Sequence, residues 1–456
     1  MEYLESINPY TGDLIEKHEV DEPRIIDEKL SRSEKIQRDW ARSDPRSRVE
    51  LLKKVADTLE RNKEEYGKLI TLEMGKVIGE AVAEIEKCAW LCRYYAENGP
   101  SFLQEEKYET DFKKTKVSFQ PLGIILIVMP WNFPFWQAFR AAAPAILAGN
   151  SVVLKHASNV MGSAKEIEKV FLEAGAPEGL FTSLIIPSSN VEQVLDHPAV
   201  RSVSLTGSEK AGAAVASLAG ARIKKSVLEL GGSDPYIVLD DADIQKAVDV
   251  IKQSRLYNGG QSCISAKRMI VIEQVYEEFL HQFTEAMSSA PYGDPMDESN
   301  VYGPMARLDL RDQLYDQQQR AIAAGAQLIT GGFIPDGPGA LYPPTVLAEV
   351  KPGQAAFDEE LFGPVAAVIR AKDTNDAIHL ANLSDYGLGA AVFTEDREKG
   401  ERLATEMVNA GSVFVNSLVR SDPRLPFGGV KLSGYGREMS RYGLMEFVNI
   451  KTISIN

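Results

Sequence analysis

Cysteine is scarce in this chain, which has 456 residues and only three thiols, at Cys88, Cys92 and Cys263. Three thiols in so long a chain exclude a disulfide framework, and an odd number is typical of a reducing compartment. Long apolar runs are absent as well: no 18 consecutive uncharged apolar residues occur, and no basic segment precedes an apolar one at the amino terminus. The sequence therefore predicts neither a membrane span nor a secretory signal, and we expect a cytoplasmic protein.

Positive charge is outweighed, because 50 Lys and Arg stand against 65 Asp and Glu and give a formal net charge of −15. That charge repels a polyanion and disfavours nucleic acid as a partner. No internal repeat or low-complexity tract stands out. With 44% hydrophobic residues, a chain of this length is too long for a single hydrophobic core, so we expect two large domains.

The order of the sequence patterns predicts an α/β protein. Residues 22–98 are charged with helical periodicity, whereas residues 108–120 alternate polar and apolar side chains as exposed strands do. Buried strands then alternate with helices (GIILIVMP, SVVLKHA, LFTSLII, SVSLTG), which implies a parallel sheet, and a second α/β region runs from about residue 232 to 425. The last segment, 447–456, has a strand pattern, and we expect it to pair with residues 108–120 of a neighbouring subunit.

Cys263 is the thiol in the least ordinary setting. It lies in NGGQSCIS, where Gly259 and Gly260 permit a tight loop after a helix. An isolated cysteine is more often a small buried hydrophobe. We interpret Cys88 and Cys92 in that way, since they are spaced i, i+4 on one helix without the further ligands that a metal site needs.

Two other side chains have the chemistry that a reactive thiol requires. Glu229 ends an apolar strand directly before Gly231 and Gly232, which makes it a candidate general base, although most glutamates are solvated surface groups. Asn132 lies in PWNFP, where the rigid X-Pro frame can hold its amide as a donor to an oxyanion. The alternative for PWNFP is a stiff hydrophobic turn without chemistry.

Six segments in register resemble the aldehyde dehydrogenase superfamily: PWNFP (130–134), LTGSEKAG (205–212), ELGG (229–232), NGGQSC (258–263), EELFGPV (359–365) and PFGGVKLSGYGRE (426–438). They occur in the family's order and span nearly the whole chain. The resemblance implies that Cys263 is the nucleophile and Glu229 the general base. It also implies an oxyanion hole formed by Asn132 and the Cys263 backbone N–H.

The same resemblance implies the fold: a Rossmann-type dinucleotide-binding domain, an α/β catalytic domain and a small β extension for oligomerisation. The dinucleotide-binding domain is expected at residues 1–107 and 122–231, with residues 426–446 returning to it. The catalytic domain is expected at 232–425, and the oligomerisation strands at 108–121 and 447–456. A homodimer or homotetramer follows from the resemblance.

A dinucleotide site is expected where residues 206–208 follow a strand and open a helix, since helix amino termini favour a pyrophosphate. The spacing is Gly-x4-Gly, which differs from G-x-G-x-x-G. By resemblance, Glu360 binds the nicotinamide ribose and Phe362 packs beside the nicotinamide, while Lys155 approaches the adenine ribose. The predicted cofactor-binding set comprises Trp131, Lys155, Ser158, Gly207, Ser208, Leu230, Glu360 and Phe362.

Ser158 departs from the pattern of NAD-selective members, which often carry a glutamate at this position. A carboxylate there would repel a 2′-phosphate, whereas Lys155 and a serine hydroxyl suit one. We therefore expect NADP to be accepted, with NAD still a possible cofactor. For Lys155, the alternative is an ordinary exposed lysine.

Arg140 and Ser421 carry the prediction of the substrate. Arg140 lies in the apolar stretch FPFWQAFRAAAPAILAG, where an arginine needs an anion, which is either an internal salt-bridge partner or a substrate group. Both residues match positions that bind the distal carboxylate in succinate-semialdehyde dehydrogenases. Two departures are Tyr257, where many members of that subfamily have a second arginine, and Ser265, which replaces a redox-regulatory cysteine.

The sequence thus predicts an NAD(P)-dependent oxidation of succinate semialdehyde, or of a similar short carboxy-aldehyde, to the carboxylic acid. The alternative is an aldehyde dehydrogenase for a neutral aliphatic or aromatic aldehyde. A CoA-acylating enzyme needs no general-base glutamate, so the presence of Glu229 opposes it. A catalytically silent protein on this fold is opposed by the intact set of Cys263, Glu229 and Asn132.

Overall fold

Two largely parallel sheets, flanked by helices, form the body of the protein in the computed structural model, which describes residues 2–456. The first sheet has six strands, and all neighbouring pairs are parallel except the pair at one edge. Its spatial order is Gly434–Tyr435, Lys225–Glu229, Val200–Thr206, Ile124–Met129, Ser151–His156 and Phe181–Leu184.

The second sheet has seven strands and is parallel except for its first pair. Its spatial order is Gln327–Thr330, Thr345–Ala348, Val365–Ala371, Arg268–Ile272, Pro235–Val238, Gly389–Phe393 and Ser412–Val415. Strands such as IILIVM at 124–129 and RMIVI at 268–272 are almost wholly buried, as parallel strands covered by helices on both faces must be. The predicted parallel α/β architecture is confirmed for both regions.

Helices occur in both halves of the chain. The first half contains Pro23–Trp40, Pro45–Arg61, Lys63–Met74, Ile78–Phe102, Pro134–Leu147, Met161–Glu173, Val191–Asp196 and Glu209–Ala221. The second half contains Ile244–Leu256, Glu273–Ser288, Leu308–Ala323, Ala355–Asp358, Thr374–Asn382, Arg397–Arg402 and Ser440–Met445. The structure also contains two small antiparallel pairs: Tyr3–Ile7 with Leu14–Glu19, and Tyr386–Gly387 with Val430–Lys431.

The helix Pro134–Leu147 is buried along its whole length. Apart from Gln137 and Arg140 its alanine-rich sequence is apolar, which is typical of a buried helix. Arg140 lies in the middle of this helix, so its charge must be balanced inside the protein.

The carboxy-terminal strand corrects one expectation. Val448–Ile455 pairs antiparallel with Lys114–Pro121 of the same chain, and Glu106–Tyr108 pairs with the other side of Lys114–Pro121. The predicted pairing with a neighbouring subunit is therefore wrong for these two segments. The reason is that residues 426–446 run back to the first sheet, which leaves Val448 directly opposite Pro121. A role of this three-stranded sheet in oligomerisation stays a prediction.

Residues 2–456 contain neither a membrane-spanning helix nor a metal-binding cluster. None of the helices there is long and apolar enough to cross a membrane. The same residues contain no group of three or more His, Cys, Asp or Glu side chains arranged to hold a metal ion. Cys88 and Cys92 are fully buried in the core around the first sheet, which confirms that they are packing residues.

Candidate active site

The loop that carries Cys263 depends on three consecutive residues with positive φ. After the helix Ile244–Leu256, Asn258, Gly259 and Gly260 have φ values of 54°, 59° and 75°. A Cβ on Gly260 would lie 2.4 Å from the carbonyl oxygen of Gly363, so no side chain fits there. The glycines of NGGQSC therefore allow the chain to turn sharply and bring Cys263 to the surface of a cleft.

A network of buried amides joins this loop to PWNFP. Asn258 Nδ2 donates to the Asn132 carbonyl oxygen at 2.8 Å, and Asn132 Nδ2 donates to the Gln261 carbonyl oxygen at 3.0 Å. An amide nitrogen carries two hydrogens, so one N–H of Asn132 remains after this bond is made. Asn132 lines a cavity that Cys263 also lines, which is the placement that the predicted oxyanion hole requires.

The ELGG segment packs against the opposite side of the same loop. Glu229 is the last residue of its strand, and a Cβ on Gly232 would lie 2.7 Å from the carbonyl oxygen of Cys263. Lys267 also stabilises the loop, since its Nζ donates to the carbonyl oxygens of Ser262 at 2.8 Å and Cys263 at 2.7 Å. Close packing of these two backbones therefore explains why residue 232 is a glycine.

Two cavities meet at Cys263. The Arg140 cavity is lined by Arg140, Ser421, Lys87 and Tyr257 together with a mainly apolar wall of Phe133, Trp136, Ile264, Leu418, Val419 and Phe427. The Glu360 cavity is lined by residues from both halves of the chain: Trp131, Asn132, Thr206, Gly207, Ser208, Leu230, Glu360 and Phe362. A thiol between two cavities can react with a molecule held in either one.

In the Arg140 cavity, the guanidinium of Arg140 forms an ion pair with Glu438, with 2.5 Å between Nη2 and Oε2. It also lies over the ring of Phe427, 4.7 Å from the ring centroid. No hydrogen bond from Arg140 to another described residue accompanies this ion pair, so donors of the guanidinium remain free. Of the two alternatives for Arg140, the internal salt bridge is therefore present in the structure. Arg140 also lines the cavity.

The Glu360 cavity contains the features expected of a nicotinamide site. Phe362 packs edge-on against Trp131 with 5.7 Å between ring centroids. Glu360 accepts a hydrogen bond from the Gly232 N–H at 3.1 Å and pairs with Lys267 at 3.0 Å. The strand Val200–Thr206 ends at this cavity and Ser208 caps the next helix, with its hydroxyl accepting from the Ala211 N–H at 3.3 Å.

Lys155 and Ser158 lie outside the lining of both cavities, at the end of the neighbouring strand Ser151–His156. Lys155 is buried, and its Nζ donates to the Ser188 hydroxyl at 3.3 Å without a carboxylate partner. Burial lowers the pKa of Lys155 to about 8. A buried cation without an anion is suited to bind one.

Glu229 lines neither cavity, which differs from the simplest expectation for a general base. Both carboxylate oxygens are buried without a hydrogen-bond partner, and a Cβ on Gly428 would lie 2.6 Å from Oε1. Burial raises the pKa of Glu229 well above its ordinary value, and the neighbouring Glu438 carboxylate raises it further, while Arg140 opposes both. A carboxyl group with a raised pKa can hold or release a proton near neutrality.

Burial also raises the pKa of the Cys263 thiol to about 12, although Lys267 and Arg140 act in the opposite direction. The resting thiol is therefore largely protonated. These two cations are the groups that favour the thiolate.

Three charged residues of the site were not singled out from the sequence: Lys267, Glu438 and Lys87. Lys267 follows the nucleophile by four residues, and Glu438 ends the PFGGVKLSGYGRE segment, so both stood beside recognised motifs. Lys87 lies in a helix far from every motif.

Ser265 hydrogen bonds to the Ser254 carbonyl oxygen at 2.9 Å, and Tyr257 stacks on Phe133 with 5.7 Å between ring centroids.

Comparison with known proteins agrees with this geometry. A family model described as the aldehyde dehydrogenase family matches residues 1–453. The chain is 46% identical over 448 residues to the NAD(P)+ succinate semialdehyde dehydrogenase Sad of Escherichia coli (strain K12), covering 98% of this chain and 97% of that protein. It is 43% identical over 448 residues to the NADP(+) succinate-semialdehyde dehydrogenase of Deinococcus radiodurans, covering 98% of this chain and 94% of that protein.

Among solved structures, the succinic semialdehyde dehydrogenase of Streptococcus pyogenes in complex with NADP+ superimposes with a TM-score of 0.97 at 39% identity, covering 99% of both chains. Two parallel α/β sheets with a cleft between them, lined from both sides, are the architecture of a dinucleotide-dependent enzyme. The chain belongs to the aldehyde dehydrogenase family.

The raised pKa of Cys263 leads to a prediction about alkylation. Iodoacetamide reacts with the thiolate, so we expect labelling of the native protein to accelerate about tenfold per pH unit between pH 7 and 10. Mass spectrometry should find one label per chain, at Cys263. In Cys263→Ser the native protein should remain unlabelled, because Cys88 and Cys92 are fully buried. A labelling rate that levels off below pH 9 would show that the thiol is more acidic than its surroundings indicate.

Proposed function

We propose that the protein oxidises a short aldehyde that carries a distal carboxylate, succinate semialdehyde being the preferred substrate, to the corresponding acid. The observation that carries this proposal is the position of Arg140 and Ser421 in the same cavity as Cys263. An apolar wall suits the short methylene chain, and the guanidinium suits the carboxylate at its far end. The names of the relatives from Escherichia coli and Deinococcus radiodurans support the same substrate.

The proposed cofactor is NADP, with NAD as a second acceptor. The Glu360 cavity fits a nicotinamide dinucleotide because it has an aromatic pair, a carboxylate that can accept hydrogen bonds from ribose hydroxyls, and a glycine-containing strand-to-helix turn. The Thr206 hydroxyl is buried there without a hydrogen-bond partner. Lys155 and Ser158 would hold the adenine ribose and its 2′-phosphate. Once bound, the oxidised nicotinamide supplies the acceptor for a hydride.

The residues around Cys263 account for the rest of the chemistry. Once the Cys263 thiol has lost its proton to solvent, the sulfur attacks the aldehyde carbon, and the oxygen that gains the negative charge is stabilised by the free N–H of Asn132 and the Cys263 backbone N–H. Loss of the hydride from this thiohemiacetal re-forms the C=O bond as a thioester. A water molecule that gives its proton to Glu229 then attacks the thioester, and the C–S bond breaks.

We propose further that residues 1–107, 122–231 and 426–446 form the cofactor domain and residues 232–425 the catalytic domain. The three-stranded sheet is proposed as the oligomerisation element at 108–121 and 447–456. Its outer strands have unpaired edges, and Ile450 is 61% exposed. A homodimer or homotetramer in the cytoplasm is the expected form.

One observation favours a second candidate function, the oxidation of a neutral aldehyde. The Arg140–Glu438 ion pair balances the charge of Arg140 inside the protein, so the arginine has a structural role even without a carboxylate substrate. The two candidates differ in how strongly the rate depends on the substrate's carboxylate.

Substitution of Arg140 distinguishes them. We compare kcat/KM for succinate semialdehyde and butanal, which lacks the carboxylate, in wild type, Arg140→Ala and Arg140→Lys. Wild type should prefer succinate semialdehyde by about 10²-fold, and Arg140→Ala should lose about 2–4 kcal/mol of transition-state stabilisation specifically for that substrate. Arg140→Lys, which keeps the charge, should restore part of the preference. Equal rates for both aldehydes in wild type would refute the proposed substrate.

The role of Glu229 is tested by Glu229→Gln. This variant should release about one reduced dinucleotide per site in a rapid burst and then turn over more slowly by about 10²–10⁴-fold, because deacylation lacks its base. Intact-mass measurement should show the acyl-enzyme. In wild type, deacylation should speed up as pH rises from neutrality, since Glu229 is protonated below its raised pKa. A burst-free variant with no acyl-enzyme would contradict this role.

Cofactor preference is tested by Ser158→Glu. The added carboxylate should repel a 2′-phosphate and lower kcat/KM for NADP by about tenfold or more relative to NAD. Ser289→Glu adds the same charge at an exposed serine on another helix end and serves as the control. An unchanged NADP/NAD ratio in Ser158→Glu would remove Ser158 from the proposed site.

A further inference from the structure

The charges around the Arg140 cavity do not balance. Arg140 is paired with Glu438, and the buried Lys76 is paired with Glu84. These two ion pairs are each electrically neutral. Two further cations, Lys87 and Arg420, line the cavity, and no described carboxylate lies within salt-bridge distance of the Lys87 ammonium.

The surroundings of Lys87 hold its ammonium inside the cavity. The residue lies on the helix Ile78–Phe102 and is half-buried, with Nζ 4.3 Å from the ring centroid of Trp136. Nζ donates to the Ser421 hydroxyl at 2.8 Å. The nearby Asp422 is already engaged by Arg424, at 2.6 Å.

Ser421 is placed to link Lys87 to a bound anion. Because its oxygen accepts from Lys87, the hydrogen of its hydroxyl is free to donate to another group. Arg140 is one of the other donors that line the same cavity. An ammonium, a hydroxyl and a guanidinium around one small volume form a site for a carboxylate.

We infer that Lys87 is a specificity-determining residue whose ammonium binds the distal carboxylate of the substrate together with Ser421 and Arg140. This inference rests on the proposed function and deepens it. Tyr257 also lines the cavity, but it is stacked on Phe133 and supplies no charge. Lys87 supplies the second cation from a different helix.

A matched pair of variants tests the inference. Lys87→Met removes the charge and keeps the length of the side chain, while Lys87→Arg keeps the charge. We expect Lys87→Met to raise KM for succinate semialdehyde about 10- to 100-fold with little change in kcat, and to lower the ratio of kcat/KM for succinate semialdehyde over butanal by the same factor. Lys87→Arg should recover most of that ratio.

A pH profile separates charge recognition from a packing role. The groups that face Lys87 are Arg140, which lowers its pKa, and Cys88, Glu84 and Asp422, which raise it, and with burial as the largest cause the pKa lies at about 8. The charged lysine is lost above that pH. In wild type, kcat/KM for succinate semialdehyde relative to butanal should therefore fall above pH 8, and Lys87→Met should lack this decline.

Binding of succinate, measured by calorimetry on wild type and Lys87→Met, completes the test without turnover. Weaker binding by 10-fold or more in Lys87→Met supports the inference. If Arg140→Ala loses the preference for succinate semialdehyde but Lys87→Met keeps both that preference and succinate binding, Lys87 is not part of the site and the proposed function stands. If wild type shows no preference for the carboxylate and does not bind succinate, the proposed function and the inference both fail.

Discussion

The left-handed turn at residues 258–260 is the constraint on which the rest of the site depends. Three consecutive positive φ values are tolerated there because two of the residues are glycines, and the third, Asn258, is fixed by its side-chain bonds to the carbonyl oxygens of Asn132 and Gln261. The turn therefore does not merely change the direction of the chain. Through the Asn258 side chain it connects the Cys263 loop to the PWNFP segment beside the first sheet. As a result, Cys263 lines both cavities.

This geometry is achieved by burying charge, and two of the buried charges around the site are balanced by an ion pair. The Arg140–Glu438 pair bridges the fully buried helix Pro134–Leu147 and the segment that returns to the first sheet. Lys267 pairs with Glu360 and also binds the carbonyl oxygen of Cys263. Removing one member of such a pair costs about 3–5 kcal/mol in typical proteins. The ionic contacts thus fix the positions of the segments that carry the site residues.

How far the sequence predicts this structure depends on whether a contact is local. The two α/β regions, the turn at Gly259 and Gly260 and the ELGG packing follow from short segments, in which glycine and periodicity are sufficient. Three features depend on contacts between distant segments. These are the pairing of the last strand within its own chain, the Arg140–Glu438 ion pair and the approach of Lys87 to Ser421, which lie 334 residues apart. No local pattern encodes such contacts.

Arg140 has two effects that have to be separated when its variants are interpreted. Its charge faces the Arg140 cavity, and the same charge opposes the rise in pKa of Glu229, which burial and Glu438 cause. Loss of Arg140 therefore leaves Glu438 unpaired and makes Glu229 a carboxyl group that is harder to ionise, which slows deacylation for every aldehyde. A lower rate alone does not show that Arg140 binds a carboxylate. Only the change in preference between two aldehydes does, because deacylation acts on both acyl groups, whereas recognition of the distal carboxylate acts on one.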